Sequence, residues 1–132
     1  MALASVLSPV AHASECRYTF EQFLARFESD WEFQLQHVRF PLPMGYVDGT
    51  AHPEPLSKQK LVSRDHYMAQ GDLYPSLDIQ AGRRLQKKIV RSPDSTMVIE
   101  FDQPDSDSYT VDFKFTRMLG CWYLTFIDDH SL

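Results

Sequence analysis

Tyr109, Val111, Phe113 and Phe115 alternate with Thr110, Asp112, Lys114 and Thr116. This strict period of two specifies a strand with one apolar and one polar face. An antiparallel sheet built from such strands has a greasy side that another layer must cover. Residues 85–90 and 97–101 read as two further strands joined by a turn at 92–95. Residues 104–108 form a polar loop, and 121–127 form a last strand with Trp122, Leu124 and Phe126 on one face. The cover comes from the N-terminal side. Phe20, Phe23, Leu24 and Phe27 recur at the i, i+3, i+4, i+7 spacing of an amphipathic helix. Ser29 and Glu32 then have the spacing of a capping box. They open a second helix with Trp31, Leu35 and Val38 on one side, which stops at Phe40-Pro41 because a residue before proline leaves helical geometry. Phe113 and Trp122 are expected to meet Phe23 and Phe27 across the two layers.

Between helices and sheet lies a segment broken by Pro41, Pro43, Pro53 and Pro55. Asp48-Gly49 is a hairpin signal, so residues 44–47 are expected to pair with 56–62. Ser63 caps a short helix that ends near Gly71, and Tyr74-Pro75 opens a loop. Loops carry function more often than cores do, and tyrosines suit interfaces. Tyr46, Tyr67, Met68 and Tyr74, with Asp48, are therefore read as a contact surface over residues 44–75. Arg83, Arg84, Lys87, Lys88 and Arg91 crowd into nine positions. Glu100, Asp102, Asp105 and Asp107 lie across the expected hairpin, so cross-strand charge pairs are expected. Arg84 and Lys88 are kept as further partner-binding candidates.

The chain has 132 residues, 13% of them aromatic, enough for one domain with a real core. Its formal net charge of −5 argues against a nucleic-acid partner, because such binding rests on neutralising phosphates. No apolar run reaches the ~18–20 residues of a membrane span. Residues 1–10 are apolar and small, and Ala11-His12-Ala13 before Ser14-Glu15 has the A-x-A form of a processing site. Residues 1–13 are thus read as the remnant of a secretory signal peptide, although no Lys or Arg precedes Arg17. Residues 14–132 form the mature domain, periplasmic or secreted. Cys16 and Cys121 are the only cysteines. In an exported chain an even count points to a disulfide between them; two unpaired thiols are the alternative.

Chemistry-bearing motifs are few. Asp102, Asp112, Asp128, His37 and His66 are available to a pocket, but none stands in a catalytic motif. No two histidines have the i, i+4 spacing of a helical zinc site, and Asp128-Asp129-His130 reads as a solvated tail. No serine sits in a G-x-S-x-G elbow. No metal and no cofactor is expected.

Helices first and a curved sheet after resemble the cone-shaped superfamily of nuclear transport factor two, ketosteroid isomerase and scytalone dehydratase. More narrowly, Phe20-x-x-Phe23-Leu24-x-x-Phe27-x-x-Asp30-x-x-Phe33-Gln34, then Arg39-Phe40-Pro41-Leu42 and the ending Gly120-Cys121-Trp122-Tyr123-Leu124-Thr125-Phe126-Ile127-Asp128, is similar to uncharacterised, exported bacterial domains of this fold. The resemblance implies an α+β domain, with N-terminal helices packed on a curved antiparallel sheet, and an extracytoplasmic home. It implies no activity. The functional expectation is an exported, non-catalytic binding protein, an inhibitor or immunity protein for a periplasmic toxin or hydrolase. The alternatives are a small-molecule-binding or enzymatic domain using an internal pocket, and a cell-envelope accessory protein.

Overall fold

Ten elements follow one another in a computed structural model that describes residues 16–92 and 95–132. Two are the expected helices, α1 (Phe20–Ser29) and α2 (Trp31–Gln36). Thr19 caps α1, accepting from the Gln22 backbone N–H while the Gln22 side chain bonds back to the cap. The second helix begins one residue later than expected. Asp30 is its cap, accepting from the Phe33 N–H, while Ser29 Oγ donates to the Ala25 carbonyl of α1. Its inner side is Phe33, Gln34 and Leu35, whereas Trp31 lies at the surface, stacked on Tyr67.

Strands β1 (Leu42–Asp48) and β2 (Leu56–Val62) form the expected hairpin in register Leu42↔Val62 to Asp48↔Leu56. Helix α3 (Arg64–Gln70) is capped by Ser63 and ends at Gly71 with φ +73°. Residues 72–76 lead to α4 (Leu77–Gly82), capped by Ser76, a helix without a sequence expectation. Then come β3 (Gln86–Ser92), β4 (Thr96–Gln103), β5 (Ser106–Met118) and β6 (Cys121–Asp129). The signal-peptide reading and part of the turn at 92–95 lie outside the described residues.

The sheet is curved and unclosed, in the order β2-β1-β6-β5-β4-β3. All pairings are antiparallel except β1 with β6, so the sheet is mixed. Val38 already bridges Leu124 in parallel, and this sets the direction in which β1 arrives. Val111, Phe113 and Phe115 point to the helices, as the alternation requires. On β6 the register shifts opposite Lys114/Phe115. Trp122 and Leu124 face inward before the shift, and Ile127 after it; Phe126 is displaced to the outer face. One inserted residue reverses every later side chain. The rings of Phe20, Phe23 and Phe27 gather on Phe115, at 5.6, 5.8 and 5.2 Å between centroids. Phe113 meets Tyr74 and Phe101 instead of Phe23 and Phe27, at 4.7 and 5.8 Å.

Cys16 and Cys121 form a disulfide with Cα atoms 4.8 Å apart. It ties the approach to α1 to the first residue of β6 and fits an oxidising compartment.

Candidate functional site

Two of the expected contact residues are part of the core. Tyr67 and Tyr74 are 1% and 2% exposed. Both lie on short elements among prolines and polar residues, so local sequence gives no hint of their burial. Tyr67 packs between Trp31 and Phe40 and donates to Gln34 Oε1 at 2.6 Å. Tyr74 fills the space among Phe27, Phe101 and Phe113 and donates to Glu28 Oε2 at 2.7 Å. Burial holds both phenols well above their ordinary range. Glu28, with a side chain only 6% exposed, also accepts from Gln80 Nε2 at 2.9 Å and from Lys87 Nζ at 2.6 Å. One helical carboxylate thus fastens the 72–76 segment, α4 and β3 to α1. Glu28 stands outside the apolar set Phe20, Phe23, Leu24 and Phe27, and its partners lie 46 to 59 positions away, so the sequence gives no sign of its role.

The opposite face of the sheet is polar and carries the concavities. Lys88, Glu100, Asp112, Asp128 and Gly45 stand in one row across five strands. His130 Nε2 lies 3.4 Å from Asp112 Oδ2 and 3.3 Å from Asp128 Oδ2. The tail that carries it is sewn to β5. His130 N–H donates to the Thr110 carbonyl, Thr110 N–H to Ser131 Oγ, and Leu132 N–H to the Asp107 carbonyl. The reading of Asp128-Asp129-His130 as a solvated tail is corrected by these bonds. Partial burial raises the Asp112 carboxyl above the usual range; Glu100 and Asp128 push it the same way, and His130 opposes them. On one side of this centre, a hollow of about 510 Å³ runs over Lys88, Glu100, Asp102 and Asp112. It shares Gln86, Asp102 and Thr110 with a hollow of about 590 Å³ toward the β4–β5 turn. On the other side, about 370 Å³ opens over Tyr46, Gln59, Phe126 and Asp128. Gly45 leaves room there, because a Cβ at this position would stand 2.9 Å from Asp128 Oδ1.

No protein-family model matches the sequence, and comparison with curated proteins finds no match. Solved structures do match. A nuclear-transport-factor-two-like protein from Bacteroides fragilis superposes with TM-score 0.64 at 18% identity, over 87% of this chain and 48% of the other. The chain has this cone-shaped fold. It spans about half the length of that protein. A second protein described in the same way, from Cytophaga hutchinsonii, overlaps along the whole of both chains at 12% identity with TM-score 0.43.

In this cone, Tyr46 and Lys88 line the two outer hollows on either side of the Asp112–Asp128–His130 centre. Asp48 is engaged in its own hairpin: hydrogen bonds from Thr50 and Lys58 lower its carboxyl to about 2. Met68 is exposed on α3, and Arg84 is exposed at the junction of α4 and β3, so neither joins this centre. The expected cross-strand charge pairs do not form among the described residues. Lys88 stands opposite Glu100 in register, but Lys87 turns to Glu28, and Arg83 lies over the Tyr109 ring and bonds Gln103. Glu100, Asp102 and Asp112 thus make no ion pair with a lysine or arginine among the described residues. Among those residues no group of His, Cys, Asp and Glu is arranged to hold a metal.

Proposed function

We propose that this chain is an exported, non-catalytic binding protein of the inhibitor or immunity type, which engages a basic partner protein through the outer face of its sheet. The observation that carries the reading is the division of the two faces. Inside the cone, where a pocket would lie, Phe27, Tyr74, Phe101, Phe113 and Phe115 fill the space. Outside, the row of Glu100, Asp112 and Asp128 runs between concavities on a six-stranded frame. A rigid surface loses little freedom on binding. Clustered carboxylates steer a cationic partner and make its association salt-dependent. The disulfide supports an oxidising location.

The test is affinity purification of the chain from periplasmic extract beside the triple variant Glu100→Gln, Asp112→Asn, Asp128→Asn. The expected result is a one-to-one protein complex that the triple variant and raised salt both abolish. A partner held equally by the triple variant would move the interface elsewhere. A small molecule bound beside Glu28, with no protein partner, would favour the internal-pocket alternative, because that carboxylate is placed inside.

A further inference from the structure

The β5–β6 turn breaks two rules at one residue. Leu119 is fully exposed, at 103%, and has φ +53°. Gly120 follows with φ +83°, so both turn positions are left-handed. Such turns favour Asn, Asp or Gly at their first position, and a bulky side chain there is strained. Among the described residues, the other non-glycine positions with positive φ are Arg84, Ser95 and Asp105, all polar. A residue that costs stability both by its backbone and by its exposure, with no contact to offset either, points to a role outside the fold.

The surroundings say what that role is. Arg39 Nη1 lies 4.0 Å from the sulfur of Met118, which precedes Leu119. Arg117, the last residue but one of β5, lines a hollow of about 250 Å³ with Arg91 and Trp122. Arg17 follows Cys16, which is bonded to the first residue after the turn. All four arginines are exposed, and none is in an ion pair among the described residues. The other end of the same strands carries Asp102, Asp105, Asp107, Asp128 and Asp129, with Arg83 and Arg84 beside them. The protein is acidic in total but presents guanidinium groups at its apolar tip. They come from four separate segments: Arg117 and Arg39 stand beside the turn, Arg17 adjoins the disulfide at its foot, and Arg91 lies two strands away across the hollow it shares with Arg117. That arrangement fits a broad anionic plane with an apolar layer beneath it better than a single acidic pocket.

We infer that the Met118-Leu119-Gly120 tip is a docking point for an anionic phospholipid surface: Leu119 enters the acyl boundary, and Arg17, Arg39, Arg91 and Arg117 meet the headgroup phosphates. The inference is independent of the partner face, which lies on the flat of the sheet. The experiment is co-sedimentation of the whole chain with phosphatidylglycerol-rich vesicles and with pure phosphatidylcholine vesicles. Leu119→Asn keeps the turn, because Asn accepts the left-handed conformation, and its thermal melt shows that the fold is intact. The wild-type chain should bind the anionic vesicles only, and less at raised salt. Leu119→Asn should weaken binding about tenfold, as expected for loss of one buried apolar side chain. Arg117→Gln and Arg39→Gln should each weaken it about fivefold. If the wild-type chain fails to bind anionic vesicles, the inference is overturned. Binding that Leu119→Asn leaves unchanged also overturns it and assigns the attachment to another part of the chain.

Discussion

At Gln34 a single amide ties three elements. It donates to the Phe27 carbonyl at 3.0 Å and accepts from Tyr67 at 2.6 Å, with both partners in the interior. Tyr67→Phe leaves that buried acceptor unpaired and should cost about 1–3 kcal/mol, read from urea denaturation. Two carboxylates should respond to pH with opposite signs. Asp48 is lowered to about 2. Its contribution is therefore present above the ordinary carboxylate value of about 4 and fades as pH falls through about 2. Asp48→Asn should be destabilising at neutral pH and nearly neutral near that lower limit. Asp112 is raised, so its favourable contribution exists where it is protonated and is lost as pH rises through its folded value. Asp112→Asn should stabilise at neutral pH and lose that advantage at about pH 3. Thermal melts of both variants at the two extremes check the signs; a common direction would mean that the environment of one carboxylate is misassigned. Asp48 was legible as a turn residue. Asp112 was legible only as an outward-facing position, because its neighbours come from β4, β6 and the tail.

Among the elements, the strand at 109–116 and the helix from Phe20 were legible because their periods are unbroken. Phe113 is fully buried, whereas Thr116 bonds Thr125 on the other face at 2.8 Å. Phe113→Ala should cost about 3–5 kcal/mol and Thr116→Ala far less, measured as shifts in denaturation midpoint. Equal losses would reverse the assignment of faces. The second half of β6 was misread because a bulge leaves no mark on composition: Phe126 and Ile127 are equally apolar, and only the partner strand decides which turns inward. Helix α4 was missed because six residues, Leu77–Gly82, are too few to display a period. What marks it is Ser76, whose Oγ accepts from the Ile79 N–H. The candidate site on the outer face is legible in the sequence only at its borders. Tyr46 and Lys88 border it, but Glu100, Asp128 and His130 converge only through strand register.

For the whole molecule, the disulfide joins residues 105 positions apart. Loop entropy gives such a bond about 4–5 kcal/mol, less wherever the reduced chain keeps some structure. Replacing both cysteines by serine should lower the denaturant midpoint and steepen the slope, because the unfolded chain without its cross-link exposes more surface, and thiol labelling of the unfolded, unreduced wild-type protein should find almost no free sulfhydryl. Two labelled thiols per chain would exclude the bond. Composition made the pairing legible but not the topology, since nothing in the order of elements announces that β1 lies beside β6. That adjacency governs the sequence of assembly. The β1–β2 hairpin reaches the other strands only through β6, which follows the other five in the chain. A nascent chain can pair β3, β4 and β5 early, yet its two halves stay unjoined until residues 121–129 arrive. Closure of the sheet therefore waits for the latest of the six strands in sequence, and a chain passed across a barrier before residues 121–129 are made travels with its sheet still open.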